Sequence, residues 1–318
     1  MKSTWTEYDI RDEIVLFCRK WSLKTEMPLK EILIQIELPT SKFHDWDKRL
    51  GVPNRHNGLV PKNHWALDSE RDAVIAFFQE HPLDGYRRLS YMMMDSDIVA
   101  LSPSTVYRIL KDANLMGNRS VKRSLKGTGF VQPNKPHEHW HIDISYINAG
   151  GTFYYLCSVL DGASRYIVHH ELHETMKTTQ VELIIQKAKE KFPGASVRII
   201  SDNGPQFIAN DFKEFIRLAG MTHVRTSPYY PQSNGKIERW HHSLKSEAIR
   251  MKALTSKEQA EQVIVEYVKY YNEERLHSAL GYITPKDFID GNKKEIHENR
   301  DRKMKEAKQV RAEFRKAA

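Results

Sequence analysis

Three acidic residues in this basic chain stand among neighbours that could set up chemistry: Asp143 in "WHIDIS", Asp202 in "SDNG" and Glu238 in "PQSNGKIERW". Asp143 lies inside a β-branched run, so strand alternation puts it on one face with His141 and Ser145, while Ile142 and Ile144 face the other way. Asp202 closes the short apolar run "SVRIIS", at the carboxyl end of a strand, where open α/β sheets place their sites. Glu238 falls early in a helix starting near Gly235. Ile237, Trp240, Leu244 and Ala248 form its apolar stripe, and Glu238, His242 and Lys245 run along an adjacent edge at i, i+4 and i+7. Taken singly, each acid has an everyday role, since "DNG" is a good turn and an acid in a first helical turn suits the dipole. Their arrangement is harder to dismiss. If the first and fourth strands are neighbours and this helix crosses their ends, three carboxylates converge. Such convergence is unfavourable without a cation, and hard divalent ions with oxygen ligands are the usual partners. In two-metal phosphoryl transfer the ions lie roughly 3.5–4 Å apart, one activating the attacking oxygen and the other stabilising the leaving one.

The elements that must position these acids follow from periodicity. "HWHIDISYI", "TFYYLCSVLD" and "SRYIVHHEL", separated by "NAGG" and "DGA", predict an antiparallel meander. A helix in "TTQVELIIQKAKEKF", the strand "SVRIIS", a helix in "NDFKEFIRLAG" and the strand "MTHVRT" then give a mixed five-stranded sheet flanked by helices. His137, His139 and His141 alternate on the first strand. They lack other soft ligands and read as polar strand-edge residues rather than a metal site, with His141 near the carboxylates.

Ahead of the sheet the grammar is helical. "YDIRDEIVLFCRKW" follows a capping-box spacing at Thr4 and Glu7 and predicts a helix with Ile10, Ile14 and Phe17 on one face. Pro28 opens a second helix, and Ser41 caps a third whose Phe43 and Trp46 pack inward. The pattern recurs in "SERDAVIAFFQEH", "GYRRLSYMMM" and "SPSTVYRILKDANL". In the last, Ser102 as N-cap and Pro103 at N1 put Val106, Ile109 and Leu110 inward and Ser104, Tyr107, Arg108 and Lys111 outward. Met92 to Met94 read as core filling. Both triplets suggest helix-turn-helix units, whose outward face enters a major groove, although a plain helical bundle with a solvated face has the same pattern.

The net charge of +8 suggests a polyanionic partner, and its distribution says more than its sum. Residues 117–137 carry Arg119, Lys122, Arg123, Lys126 and Lys135 without a carboxylate, and the segment from Gly291 has ten Lys/Arg against five Asp/Glu. That last segment has no sustained apolar stripe and reads as a solvated or disordered tail. Two cysteines, Cys18 and Cys157, are too few for a disulfide framework, and a reducing compartment is expected. No signal-peptide pattern opens the chain, and no apolar run approaches the roughly eighteen residues needed to span a bilayer. The expected location is the cytoplasm, at the bacterial nucleoid.

The three acids in their settings, with thirty-five residues between Asp202 and Glu238, resemble the Asp-Asp-Glu core of retroviral integrases and bacterial insertion-sequence transposases. "GYRRLSYMMM", "STVYRILKDANL" and "YNEERLHSALGYITP" resemble the insertion-sequence branch. The resemblance implies a ribonuclease-H-like core with Mg2+ or Mn2+ at Asp143, Asp202 and Glu238, two ions per site once DNA is bound. It also implies two successive phosphoryl transfers. Water first cuts at the element's end, and the freed 3′-hydroxyl then attacks target DNA. Asn203 and Gly204 would shape the turn presenting Asp202, while Gln232, Ser233, Asn234 and Gly235 would form a mobile loop before Glu238. Two features depart from the retroviral pattern. Only Cys18 precedes the core, so a two-His, two-Cys zinc domain is impossible and helix-turn-helix units stand in its place. His242 occupies the i+4 position where retroviral enzymes have a lysine that contacts the DNA end, so Lys245 at i+7 is the favoured contact.

The expected organisation is a helix-turn-helix module over 1–60, a second over 61–116, a basic linker over 117–137 and an integrase-type core over 138–255. A helical extension over 256–290 and a charged basic tail over 291–318 follow. DNA contacts are assigned to Lys245, His242, Tyr107, Arg108, Lys111, Lys122, Arg123 and Lys126. Expected partners are double-stranded DNA, as terminal inverted repeats and as target, a second copy of the chain on that DNA, and an upstream-frame helix-turn-helix protein. No membrane partner is expected. Two rival functions share these features: a metal-dependent nuclease that cuts without joining, and a DNA-binding regulator carrying a catalytic relic.

Overall fold

The computed structural model describes residues 6–53, 65–117, 132–225 and 234–317, and the chain forms two compact units, 1–65 and 66–318. The predicted Thr4 cap lies outside the described residues.

The first unit holds α1 (Tyr8–Thr25), α2 (Leu29–Gln35) and α3 (Thr40–Asp47) around a small core of Val15, Cys18, Ile32, Leu33, Phe43 and Trp46. Phe43 and Trp46 pack inward as expected, but the α1 face is turned. Val15, Cys18 and Arg11 are buried, while Ile10 and Phe17 are about half exposed. The reason is Arg11, whose guanidinium donates to the carbonyls of Arg49 (2.7 Å) and Val52 (2.9 Å), so the backbone after α3 draws a polar residue inward. Ser41 lies inside α3, which starts at Thr40 after Pro39 and has no side-chain cap.

The second unit begins with α4 (Asp68–Glu80), α5 (Tyr86–Asp95) and α6 (Pro103–Asp112). Ser102 Oγ accepts from Thr105 N at 3.3 Å, and Val106, Ile109 and Leu110 are buried against Leu89, Met93 and Val74. Ser104, Tyr107, Arg108 and Lys111 are exposed on the opposite face, as their spacing requires.

The sheet comprises β1 (His139–Ala149), β2 (Thr152–Asp161), β3 (Ile167–His173), β4 (Arg198–Ser201) and β5 (Thr222–Arg225), in the order β3-β2-β1-β4-β5. β1 to β3 are an antiparallel meander, and β4 and β5 run parallel to β1. This is the ribonuclease-H-like mixed sheet. On one face, Trp140, Ile142, Val159 and Ile199 pack against α7 (Thr178–Lys191) and α9 (Asn210–Leu218), which follows the short α8 (Pro205–Ile208). On the other, Ile147, Leu156 and Leu160 pack against α10 (Gly235–Leu244) and α11 (Lys257–Glu273). β1 is therefore central, and His141 is wholly buried rather than at a strand edge. His137 precedes the strand and stacks on Phe192 at 4.1 Å.

α12 (Pro285–Asp290) and α13 (Lys293–Ala317) end the chain. The segment expected to be a solvated or disordered tail is a 25-residue helix. Arg311 Nε donates to both Glu70 oxygens (2.9 and 2.8 Å), Arg300 holds Asp95 through two bonds (2.8 and 2.6 Å), and Lys303 pairs with Asp97 (2.6 Å). Arg300 also lies over the Tyr91 ring at 4.7 Å. An apolar stripe is absent because the helix docks by ion pairs, which hydrophobic periodicity does not register.

Candidate active site

Asp143 and Glu238 are brought together by the packing of α10 on the α11 side of the sheet. Trp240, fully buried, donates from Nε1 to Ser158 Oγ at 3.1 Å, and Ser158 pairs across the ladder with Asp143. Its ring lies against Tyr267 (5.8 Å) and meets Tyr271 edge-on (4.5 Å), which holds α10 between β2 and α11. Glu238, two residues earlier, is thereby turned toward Asp143. Burial, and then the neighbouring Asp143 carboxylate, raise the Glu238 pKa above the ordinary glutamate value. Repulsion of this kind is what a divalent cation would offset, and both groups are hard oxygen donors.

Asp202 stands just beyond β4. The parallel register pairs His141 with Ile200, and carried two residues further it sets Asp202 level with Asp143. The side chain is exposed, and its Oδ1 accepts from Gly204 N at 3.0 Å. A Cβ at Gly204 would lie 3.1 Å from that oxygen, so a side chain there would press on the Asp202 carboxylate. Among the described residues no group of three or more His, Cys, Asp or Glu side chains lies close enough to hold a metal ion. Asp143 and Glu238 form one half of the candidate site, and Asp202 reaches toward it from the adjacent strand end.

His241 escaped the sequence reading. It is buried at i+3 from Glu238, with Nδ1 3.4 Å from Asp143 Oδ2 and Nε2 3.4 Å from Ser158 Oγ. Its signal was the helical offset from Glu238 beside the buried Trp240, which places it on the sheet-facing edge of the helix.

Lys245 begins a π-helical turn, Lys245–Ile249, that continues α10, a local widening often found at functional sites. Burial, and next Arg250, lower its pKa, while the Asp143 carboxylate acts in the opposite sense, which places Lys245 in the field of the site. His242 lies on the exposed face of α10 and lines a cleft on its other flank. Lys236 lines the same cleft, and burial together with Arg165 lowers its pKa to about 7. Asn234 is buried at the N-cap of α10, and Gly235 starts that helix. Lys122, Arg123, Lys126, Gln232 and Ser233 lie outside the described residues.

Residues 133–231 and 219–285 match two family models, each an integrase core domain. InsK, the transposase assigned to insertion sequence element IS150 in Escherichia coli strain K12, is 23% identical over 84% of this chain and 95% of its own length. Transposase InsD of insertion element IS2-9, from the same strain, is 25% identical over 90% of this chain and 94% of its own. A chain of the simian T-cell lymphotropic virus intasome, solved by electron cryomicroscopy, has 16% identity and a TM-score of 0.46, covering 68% of this chain and 74% of that one. No helix among the described residues is long and apolar enough to cross a membrane. An integrase core implies dependence on a divalent metal. The chain carries an integrase core, which makes it a polynucleotidyl transferase, and its similarity to transposases of insertion sequences runs over most of its length.

Proposed function

We propose that this transposase binds the terminal inverted repeats of its element, cleaves at their ends and joins the freed 3′-hydroxyl to target DNA. Asp143, Asp202 and Glu238 are the residues that would hold Mg2+ or Mn2+. When bound, two such ions would activate the attacking oxygen and stabilise the leaving oxygen. The observation that carries this reading is the Asp143–Glu238 pair, two carboxylates drawn into each other's field with Asp202 on the adjacent strand end.

The chain's own groups supply position. His241, against Asp143, orients one carboxylate, and the Trp240 bond to Ser158 sets the angle at which Glu238 arrives. Asn203 and Gly204 shape the turn that presents Asp202, and the segment from Gln232 to Gly235 leads into the Glu238 helix. Lys245 offers its ammonium to a phosphate of the DNA end. Tyr107, Arg108 and Lys111 on the outward face of α6 meet the repeat, and Lys122, Arg123 and Lys126 track the backbone. The proposed organisation keeps residues 1–60 and 61–116 as DNA-reading modules and 138–255 as the catalytic core. The active form is an oligomer on DNA, joined where the element encodes one by an upstream-frame helix-turn-helix protein. Its place of action is the cytoplasm, at the nucleoid.

The test is a joining assay with the full chain, Mg2+ and duplexes carrying the element's ends. Cleavage followed by a joined product is expected. Cleavage alone would point to a nuclease, and binding without cleavage to a regulator.

A further inference from the structure

The flank of α10 turned away from Asp143 faces an open cleft of about 1020 Å³, all of it within the second unit. Arg165, Lys236, Arg239 and His242 line it, together with Gly235, the first residue of the ten-residue α10. Arg88 and Arg275 also reach it, but Arg88 is paired with Asp84 and Arg275 with Glu247. Arg165, Lys236 and Arg239 make no ion pair among the described residues. Instead, two of them converge on one neutral group: the Gly162 carbonyl accepts from Arg165 Nη1 at 2.9 Å and from Lys236 Nζ at 2.7 Å. A guanidinium has five N–H donors and an ammonium three, so one carbonyl leaves most of them unspent. Half-burying two cations beside each other is costly, the Asp161 carboxylate whose field reaches both is itself held by His137 N, Ser164 N and Ser164 Oγ, and the positive end of a helix dipole adds to the same field. The place is also built to close tolerance. A Cβ at Gly162 would meet His141 Nε2 at 3.0 Å and the His139 carbonyl oxygen at 3.1 Å.

We propose that Arg165, Lys236 and Arg239, with the N-terminus of α10, form a seat for backbone phosphates of DNA on the opposite flank of the helix from the catalytic carboxylates. An anion offsets this field, and a phosphodiester offers acceptor oxygens to a guanidinium fork and a helix N-terminus together. Arg239 of the seat and His242 beside it share the exposed side of α10 with Glu238. A strand crossing that face thus keeps one phosphate on the seat while a nearby one lies at the carboxylates. This inference rests on the transposase reading, and it adds a second point of attachment that fixes the direction of the strand across α10.

The experiment measures binding of the full chain to two duplexes, one carrying the element's end and one of target DNA, across a salt series. Arg165→Gln, Lys236→Gln and Arg239→Gln are each expected to weaken binding about tenfold at moderate salt and to reduce the slope of log affinity against log salt by about one. The duplex that shows the loss identifies the source of the phosphates. Methylphosphonate substitution, one phosphate at a time, checks the contact without relying on the folding of a half-buried variant. A phosphate whose neutralisation weakens the wild type should have no further effect in Arg239→Gln. Unchanged slopes on both duplexes, or additive effects of the neutral phosphate and the variant, overturn the seat. A wild-type protein that processes ends while all three variants match it would sink the seat alone. A wild-type protein that neither binds nor cuts end DNA would sink the functional reading beneath it.

Discussion

Charge is gathered in two regions of this molecule with opposite outcomes. Where α13 crosses α4 and α5, Arg311 and Arg300 are 4% and 6% exposed, and each meets a carboxylate through two hydrogen bonds. At the candidate active site, Asp143 and Glu238 lie in each other's field with His241 against Asp143 and Lys245 within its reach, and the Glu238 pKa is still raised. Paired charge ties one element to another. Unpaired like charge destabilises the free protein and leaves room for a cation that arrives with the reaction, so the first region should govern stability and the second activity.

The largest effects are expected from Asp143→Asn, Asp202→Asn and Glu238→Gln. Each should lower cleavage and joining by on the order of 10³-fold or more, because the charge stabilisation lost with a ligand is several kcal/mol. Thermal melting of the metal-free protein should hold or rise slightly, since Glu238→Gln removes a repulsion. A variant that melts far lower while turning over normally would invert the comparison.

Next is the α13 contact. Arg311→Ala strands the Glu70 carboxylate and should cost roughly 3 kcal/mol in a urea melt, with Arg300→Ala costing less because Asp95 is 38% exposed. The Arg311→Ala, Glu70→Ala double variant should recover part of the loss. Equal melting of wild type and Arg311→Ala would show that α13 is not held by its ion pairs.

Lys245 stands between the two regimes, half-buried and within the field of Asp143. Lys245→Glu should weaken end binding about tenfold without lowering the melting temperature, and Lys245→Arg should keep most activity, because a phosphate contact needs the charge more than its shape. Cross-linking to the terminal nucleotides checks the contact. Lower melting with normal end processing would make Lys245 structural.

The smallest effect sharpens the rule from the other side. His277 is buried beside Tyr271, and burial, then Arg275 and Arg88, lower its pKa from 6.5 to about 3. A base depressed on folding contributes stability that is fully present above 6.5 and is lost as the pH falls toward 3. The slope is up to roughly 1.4 kcal/mol per pH unit. Urea melts at pH 7.5 and 5.5 should show the loss, and His277→Asn should shrink it. An unchanged difference in the variant would remove His277 as the cause.

The sheet was largely legible, because β-branched runs broken by glycine turns encode a meander locally and the alternation within β1 places Asp143 on a definite face. Glu238 and Lys245 were legible through helical spacing. His241 was not, since a buried histidine and a solvated one look alike until the strand beneath is known. The face of α1 was misread for a related reason. Ile10, Ile14 and Phe17 make a good stripe, but Arg11 is drawn inward by carbonyls thirty-eight and forty-one residues away, and no local pattern contains them.

By itself the sequence determined the alternation along each strand and the spacing along most helices, and with them the positions of the three acids proposed for the site. Those follow from periods of 2 and 3.6, which depend only on near neighbours in the chain. Tertiary structure decided that β1 lies beside β4, that His241 leans on Asp143, and that a basic helix lacking an apolar stripe is fastened to a helical module more than two hundred residues earlier. These are pairings between distant segments, whose energies depend on which charges lose water together and which partner each then meets.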